Sequence, residues 1–372
     1  MTQSSQQWFR INDADQIDSP ALIIYPQRVQ QNIDALIGMI DDIQRLRTHA
    51  KTHKTKEAAI LQMQAGIRKF KCATIAEAEL LAQAGAPDVL LAYQPIGPKQ
   101  ERFFNLIDKY PDTVFSCLID NIETAKELSA HFLTNGKLLP VYIDLNIGQN
   151  RTGIVPEKAL ALYEAAVALP GIDLKGLHAY DGHIHHPVLE ERKKIVDAAY
   201  ARVEALVQLY SDKGYGAPII VAGGTPGFPI HAKREKIECS PGTFIFWDNG
   251  YLNECPEQPF VPAAVLLTRV VSLPDETKIC VDLGHKSVSA ENDISKRVYF
   301  LNAPELKPVG QSEEHLVLEA GADHGYKVGD ILYGIPHHVC PTVALYERGI
   351  TVENSVVSGA WRIAARDRTI GI

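Results

Sequence analysis

The sequence predicts a (β/α)8 barrel, a TIM barrel, followed by a second, mostly β domain. Strand-like and helix-like segments alternate eight times over about 200 residues, and from about residue 260 the helical runs give way to short β-branched ones. A chain of 372 residues has room for about two such domains.

A short apolar segment, 21–25, precedes the regular part. Eight strand candidates follow, at 43–48, 69–74, 88–93, 113–119, 139–146, 174–180, 218–223 and 237–246. Between them, 54–65, 75–84, 98–109, 121–133, 156–169 and 189–213 carry apolar residues at three- and four-residue spacing, the period of an amphipathic helix. Pro156 near a start, and Gly136 or Gly214 after a finish, mark helix ends. An open doubly wound sheet has the same local pattern, and the closed barrel is the favoured expectation. Beyond residue 260, strands are expected at 264–272, 278–283, 297–302, 314–319, 330–334 and 343–352. The domains are placed at 1–18, a segment joining the β domain, 19–255 for the barrel and 256–372 for the β domain.

Apolar residues make up 46% of the chain and charged residues 22%, the balance of a globular protein, and a net charge of −8 argues against nucleic acid as a partner. The first eight residues show neither a basic nor an apolar leader segment, and no run approaches 18 apolar residues, so a cytoplasmic protein with no membrane partner is expected. The six cysteines lack a CxxC pair or a tight framework and are expected as free thiols, five of them in packing. Cys340 is set apart.

Functional groups of a barrel gather at the C-terminal ends of its strands. After the first comes Arg47-Thr-His49-Ala-Lys51-Thr-His53-Lys54. Lys51 is a candidate nucleophile, because neighbouring positive charge disfavours the ammonium form and leaves more free amine. A solvated basic loop is the plainer alternative, and Lys54 is a rival for the role. Gly223-Gly224-Thr225, after a buried strand, can turn backbone N–H groups and a hydroxyl towards a phosphate, and Ser240-Pro241-Gly242-Thr243 offers a second such turn. Arg151 carries a planar fork of donors suited to an oxyanion. His338 and Cys340, spaced i, i+2, share one face of an extended segment and suit a divalent metal. His183-Ile-His185-His186 is a competing pair, read instead as the source of one catalytic or substrate-binding histidine.

Together these motifs resemble the D-threonine aldolase and D-serine dehydratase family of fold-type III, alanine racemase-like, pyridoxal-phosphate enzymes. The resemblance rests on Leu46 through Lys54, Asp144 through Gly153, His178-Ala-Tyr180-Asp-Gly182, Ala222 through Pro226 and Pro336 through Pro341, and runs from about residue 17 to about residue 346. It implies a β domain partly built from the N-terminal strand, a homodimer whose active sites use both subunits, and a D-amino acid as substrate. By motif position, Lys51 looks like the lysine that joins pyridoxal 5'-phosphate. Arg151 looks like the contact to its phenolic oxygen, Gly223, Gly224, Thr225, Gly242 and Thr243 like its phosphate cup, and Tyr180 like a residue lining its ring. His338 and Cys340 look like the site of a divalent metal, zinc or manganese, with imidazole plus thiolate favouring zinc over magnesium or calcium. Among the histidines, counting from Tyr180 selects His186 as catalytic, while pattern similarity favours His183 or His185. Asp282 through Lys286 and Ser312 through His315 resemble family segments near the site's entrance.

The implied reaction is metal-assisted cleavage of a D-3-hydroxy amino acid to glycine and an aldehyde. The alternative is dehydration to a keto acid and ammonia, for which Cys340 speaks, since the family's aldolases usually present Asp there and its dehydratases Cys. A racemase or a non-catalytic cofactor carrier ranks below both.

Overall fold

A computed structural model describes residues 7–372. Ala21–Ile24 (β1) comes first. The eight strands Arg47–His49 (β2), Lys69–Cys72 (β3), Asp88–Leu91 (β4), Val114–Ile119 (β5), Leu139–Leu145 (β6), Ile172–Ala179 (β7), Ile219–Ala222 (β8) and Ile237–Cys239 (β9) then form one all-parallel sheet in chain order. A parallel bridge between Leu46 and Cys239, and the His49 N–H donated to the Pro241 carbonyl, draw β9 against β2 and all but close the ring. The predicted barrel is therefore present.

Helix starts follow side-chain caps and prolines. Thr55 and Thr74 accept from the amides of Ala58 and Glu77 to open Lys56–Gln64 and Ile75–Gln83, and Asn121 caps Ile122–Thr134. Pro98 and Pro156 open their helices at the first turn. The helix expected from residue 54 begins at Lys56 because Lys54 adopts a left-handed backbone, φ +53°, and Thr55 is the cap. Likewise 43–45 is a turn of 3-10 helix, and the first barrel strand starts only at Arg47.

Side chains alternate along a strand, and this sorts the barrel interior into layers. At one end Arg47, 1% exposed, forks onto Asp88 at 2.6 and 3.0 Å and reaches Glu238 at 2.7 Å, tying β2 to β4 and β9. Leu90, Leu118, Tyr142 and Val221 form a separate apolar cluster. At the C-terminal ends lie His49, Lys71, Asp144 and His178, all buried and polar.

The strands Ala264–Ser272 (β10), Lys278–Val281 (β11), Val298–Phe300 (β12), Lys307–Gln311 (β13), Leu316–Glu319 (β14), Ile331–Pro336 (β15), Arg348–Glu353 (β16) and Val356–Arg362 (β17) build the second, mostly β unit. β1 inserts between β10 and β16 in its nine-stranded sheet. This corrects the expected boundary: residues 1–6 of the 1–18 segment lie outside the described residues, and 21–24, assigned to the barrel, is a strand of the β sheet. Its run of Leu22, Ile23 and Ile24, each at most 1% exposed, is buried on both faces, which is why alternation did not reveal its side. The six cysteines are unpaired, five buried and Cys340 less so. Among the described residues no helix is long and apolar enough to cross a membrane.

Candidate active site

One cavity of about 320 Å³ lies at the C-terminal ends of the barrel strands, lined by residues of both units. Lys51 enters it from the turn after β2. That turn is fixed by the Ala50 amide donated to the Lys71 carbonyl, the Lys54 amide donated to the Ala50 carbonyl, and the Lys51 amide donated to His49 Nδ1 at 3.2 Å. Lys54, the rival, points elsewhere: its ammonium pairs with buried Glu77 and lies 3.4 Å from the Ala365 carbonyl.

The electrostatic expectation for Lys51 is corrected. Burial works to lower its pKa, but Tyr180, Cys340 and Glu77 outweigh burial and Arg151, and the unloaded protein holds the ammonium above its ordinary range. The amine that is pushed down is Lys71, to about 7, by burial first and then by Lys51. Lys51, Lys71 and Arg151 all surround Tyr180, with their cationic centres 5.5, 5.2 and 5.3 Å from its ring centre.

Two turns also line the cavity. After β8, Gly223 has φ +77°, and a Cβ there would meet the His231 ring at 2.8 Å, so only glycine fits. The Gly224 amide donates to Asp181 Oδ1 at 2.8 Å, and Asp181 Oδ2 takes the Nε2–H of His231 at 2.9 Å, which clamps the turn. After β9, the amides of Gly242 and Thr243 converge on one oxygen, Thr225 Oγ1, each at 3.1 Å. Two donors gathered on one acceptor is the arrangement that a phosphate oxygen needs.

Two further observations fit a phosphate-bearing cofactor. Ser240 Oγ is buried without a partner on the cavity wall, and a Cβ on Gly242 would fill the space against His49 Cβ at 3.0 Å. Ser240 was legible only as part of its motif. Tyr251, also on the wall, carries no motif, and burial raises its pKa well above the ordinary value, so it stays a neutral phenol.

His338 and Cys340 line the same cavity, but not on an extended segment. His338 is extended and caps a short helix, Val339–Val343, with Cys340 inside it, because the Val339 amide is taken by Asp248 and the Thr342 hydroxyl donates to the His338 carbonyl. The two side chains still meet. Cys340, although burial pushes its thiol up, is held below the usual range by His338, and Thr52 Oγ1 lies 3.1 Å from its sulfur. His338 is raised to about 9: burial opposes this, but Cys340 and Glu291, at 2.5 Å from Nδ1, outweigh it. The Glu291 contact orients the ring so that Nε2 remains for a ligand. Among the described residues no group of three or more His, Cys, Asp or Glu is gathered for a metal, so this pair would leave the rest of the shell to water and substrate.

Of the three histidines, the cavity takes His185 rather than His186. His186 turns away, its Nδ1 bonded to the Val188 amide at 3.1 Å and its carbonyl holding Arg192. His183 packs against Gly148, where a Cβ would lie 2.8 Å from its Nε2. His185 has Nδ1 3.1 Å from Glu254 and Nε2 3.1 Å from the Gly182 carbonyl, and the Glu254 hydrogen bond raises its pKa. Counting from Tyr180 missed this because the segment 181–188 is irregular and offers no period from which to read direction.

The alanine racemase N-terminal domain profile matches residues 24–249, more than half of the chain, and a serine dehydratase domain profile matches 263–352. The chain belongs to the alanine racemase N-terminal domain family. The family resemblance drawn from the motifs is thus borne out, and with it membership of the fold-type III pyridoxal-phosphate enzymes. The chain is 28% identical over 359 residues to a D-threonine aldolase of Arthrobacter sp, covering 94% of this chain and 93% of that one. It is 27% identical over 373 residues to a 3-hydroxy-D-aspartate aldolase of Paracoccus denitrificans (strain Pd 1222), covering 96% and 94%. A D-threo-3-hydroxyaspartate dehydratase of Delftia sp. (strain HT23) is 23% identical over 355 residues, covering 89% and 93%. The crystal structure of a D-threonine aldolase from Filomicrobium marinum superposes with a TM-score of 0.86 at 26% identity, covering 95% of this chain and 96% of that one.

Proposed function

We propose that this protein is a lyase dependent on pyridoxal phosphate and a divalent metal, and that it cleaves D-3-hydroxy amino acids to glycine and an aldehyde. The observation that carries this reading is the single cavity in which a lysine, two phosphate-suited turns and a His–Cys pair face one another. Its lyase character is shared with the aldolase and dehydratase relatives.

In this reading Lys51 meets the cofactor's aldehyde carbon. Thr225, Gly242 and Thr243 hold its phosphate, with Gly223 and Gly224 shaping the turn that Asp181 clamps through the Gly224 amide, Arg151 holds its phenolic oxygen, and Tyr180 lines its ring. When bound, the cofactor supplies an electron sink for negative charge at the substrate's α-carbon. His338 and Cys340 hold the metal, zinc or manganese, whose Lewis acidity would serve a β-hydroxyl. His185, held through Nδ1 and made more basic by Glu254, accepts that hydroxyl's proton at Nε2 once this nitrogen, as the free base, turns from the Gly182 carbonyl to the substrate. Lys51, as the ammonium, returns a proton at the α-carbon, and the neutral Tyr251 phenol contributes a hydrogen bond but no charge. The same reading takes the enzyme as a cytoplasmic homodimer whose active sites use both subunits.

Cys340 supports a second reading, dehydration to a keto acid and ammonia, because the resemblance associates a thiol at this position with the dehydratases. Purified protein incubated with D-threonine and a divalent metal separates the two. Glycine with acetaldehyde supports cleavage, whereas 2-oxobutyrate with ammonia replaces it with dehydration.

A further inference from the structure

Beneath the cavity the barrel holds a group that the proposed chemistry leaves unused. Lys71 projects from β3 into the interior, 2% exposed, with Nζ 3.5 Å from His178 Nε2. On the other side of that ring, His178 Nδ1–H donates to Asp144 Oδ1 at 2.8 Å. Asp144 Oδ2 is in turn held by Gln94 at 3.1 Å and by the Thr152 hydroxyl at 2.9 Å. These bonds fix the imidazole with its proton on Nδ1 and leave Nε2 to accept from Lys71.

The charged and titratable groups facing Lys71 are Lys51 and His49 from the β2 side, Asp144 from β6, His178, Tyr180 and Asp181 from the β7 side, and Arg47 from β2. The three cationic centres at about equal distance from the Tyr180 ring make that ring the shared neighbour of Lys71 and Lys51.

We propose that Asp144, His178 and Lys71 form a buried charge line in which Lys71 is a positioning residue, acting across Tyr180 on the protonation of the Lys51 nitrogen. The inference rests on the reading that Lys51 carries the cofactor. When the Lys51 nitrogen is neutral, the like charge that helps push Lys71 down is gone and Lys71 keeps its proton more firmly; that charge then disfavours a second one at Lys51, the more so because Lys71 is buried. The line from Asp144 holds Lys71 where this repulsion is felt. It also gives the extra proton a buried partner once an anion occupies the cavity.

The test uses protein loaded with pyridoxal phosphate and compares wild type with Lys71→Met and Lys71→Arg. The pH midpoint of the visible absorbance reads the Lys51 nitrogen without turnover. Removing the Lys71 charge raises that midpoint by about one pH unit in Lys71→Met, and Lys71→Arg returns it towards wild type. An unchanged midpoint in a folded, coloured Lys71→Met protein overturns the inference and leaves the cofactor reading standing. A wild type that never becomes coloured overturns both. Should Lys71→Met fail to fold, Lys71→Gln, which keeps an N–H for His178, is read in the same way against the same two outcomes.

Discussion

Lys54 pairs with Glu77, a carboxylate 1% exposed in the first turn of Ile75–Gln83, and so points away from the cavity that Lys51 lines. Glu77 also accepts the Ala73 amide at 2.6 Å, which anchors the turn after β3. Two lysines three residues apart thus have separate duties, one towards the cavity and one in the packing of the barrel wall. Removing Lys54 strands a buried charge. We expect Lys54→Ala to lose about 3–5 kcal/mol of stability in urea unfolding, while the variant still takes up cofactor.

Lys71 makes stability depend on pH. Its pKa in the folded protein is about 7, below the ordinary lysine value of 10.5, so between these values the unfolded chain binds more protons than the folded one. Stability therefore rises with pH across that window, by up to about 1.4 kcal/mol per unit. Lys71→Met lacks this contribution. Urea unfolding of the cofactor-free proteins at pH 7 and pH 9 should show a smaller gain for the variant.

The histidines make contrasting predictions. His185 lines the cavity with Glu254 behind it, whereas His186 is occupied by its own loop. His185→Gln should lower kcat by about a hundredfold or more. His186→Gln should leave kcat within a few-fold of wild type in the same steady-state assay.

Glu291 orients the metal pair through His338 Nδ1. Glu291→Gln keeps the shape but weakens the acceptor, and metal affinity should fall by about 10–100-fold. Titration of the metal-stripped protein with zinc reads this directly. The far-UV spectrum should not change.

The barrel was legible because buried parallel strands and their covering helices keep two distinct periods, and caps such as Thr55 and Thr74 mark where one ends. The β unit was less so. β13 and β17 went unseen: Lys307–Gln311 contains proline and glycine, and five of the seven residues of Val356–Arg362 in succession are exposed, so neither shows a buried face. The expectation of an extended segment through Cys340 fails because spacing alone does not reveal that Asp248 takes the Val339 amide from 91 residues away. The cavity's glycine turns, Lys51 and His338 stood out as motifs. Tyr251 and Lys71 did not, and the line that Lys71 forms with the motif residues Asp144 and His178 was not legible, because the three are brought together only by closure of the barrel. Cations at Lys69 and Lys71, and Arg47 with His49, each at alternate positions of one short strand, were signs that the barrel's interior is charged.

The most direct test is to reduce the cofactor-loaded protein with borohydride, digest it and locate the pyridoxyl group by peptide mass spectrometry. The added mass is expected on the peptide carrying Lys51, with Lys54 and Lys71 unmodified. A label on either of those lysines, or none on the chain, would contradict the assignment of this cavity as the cofactor site.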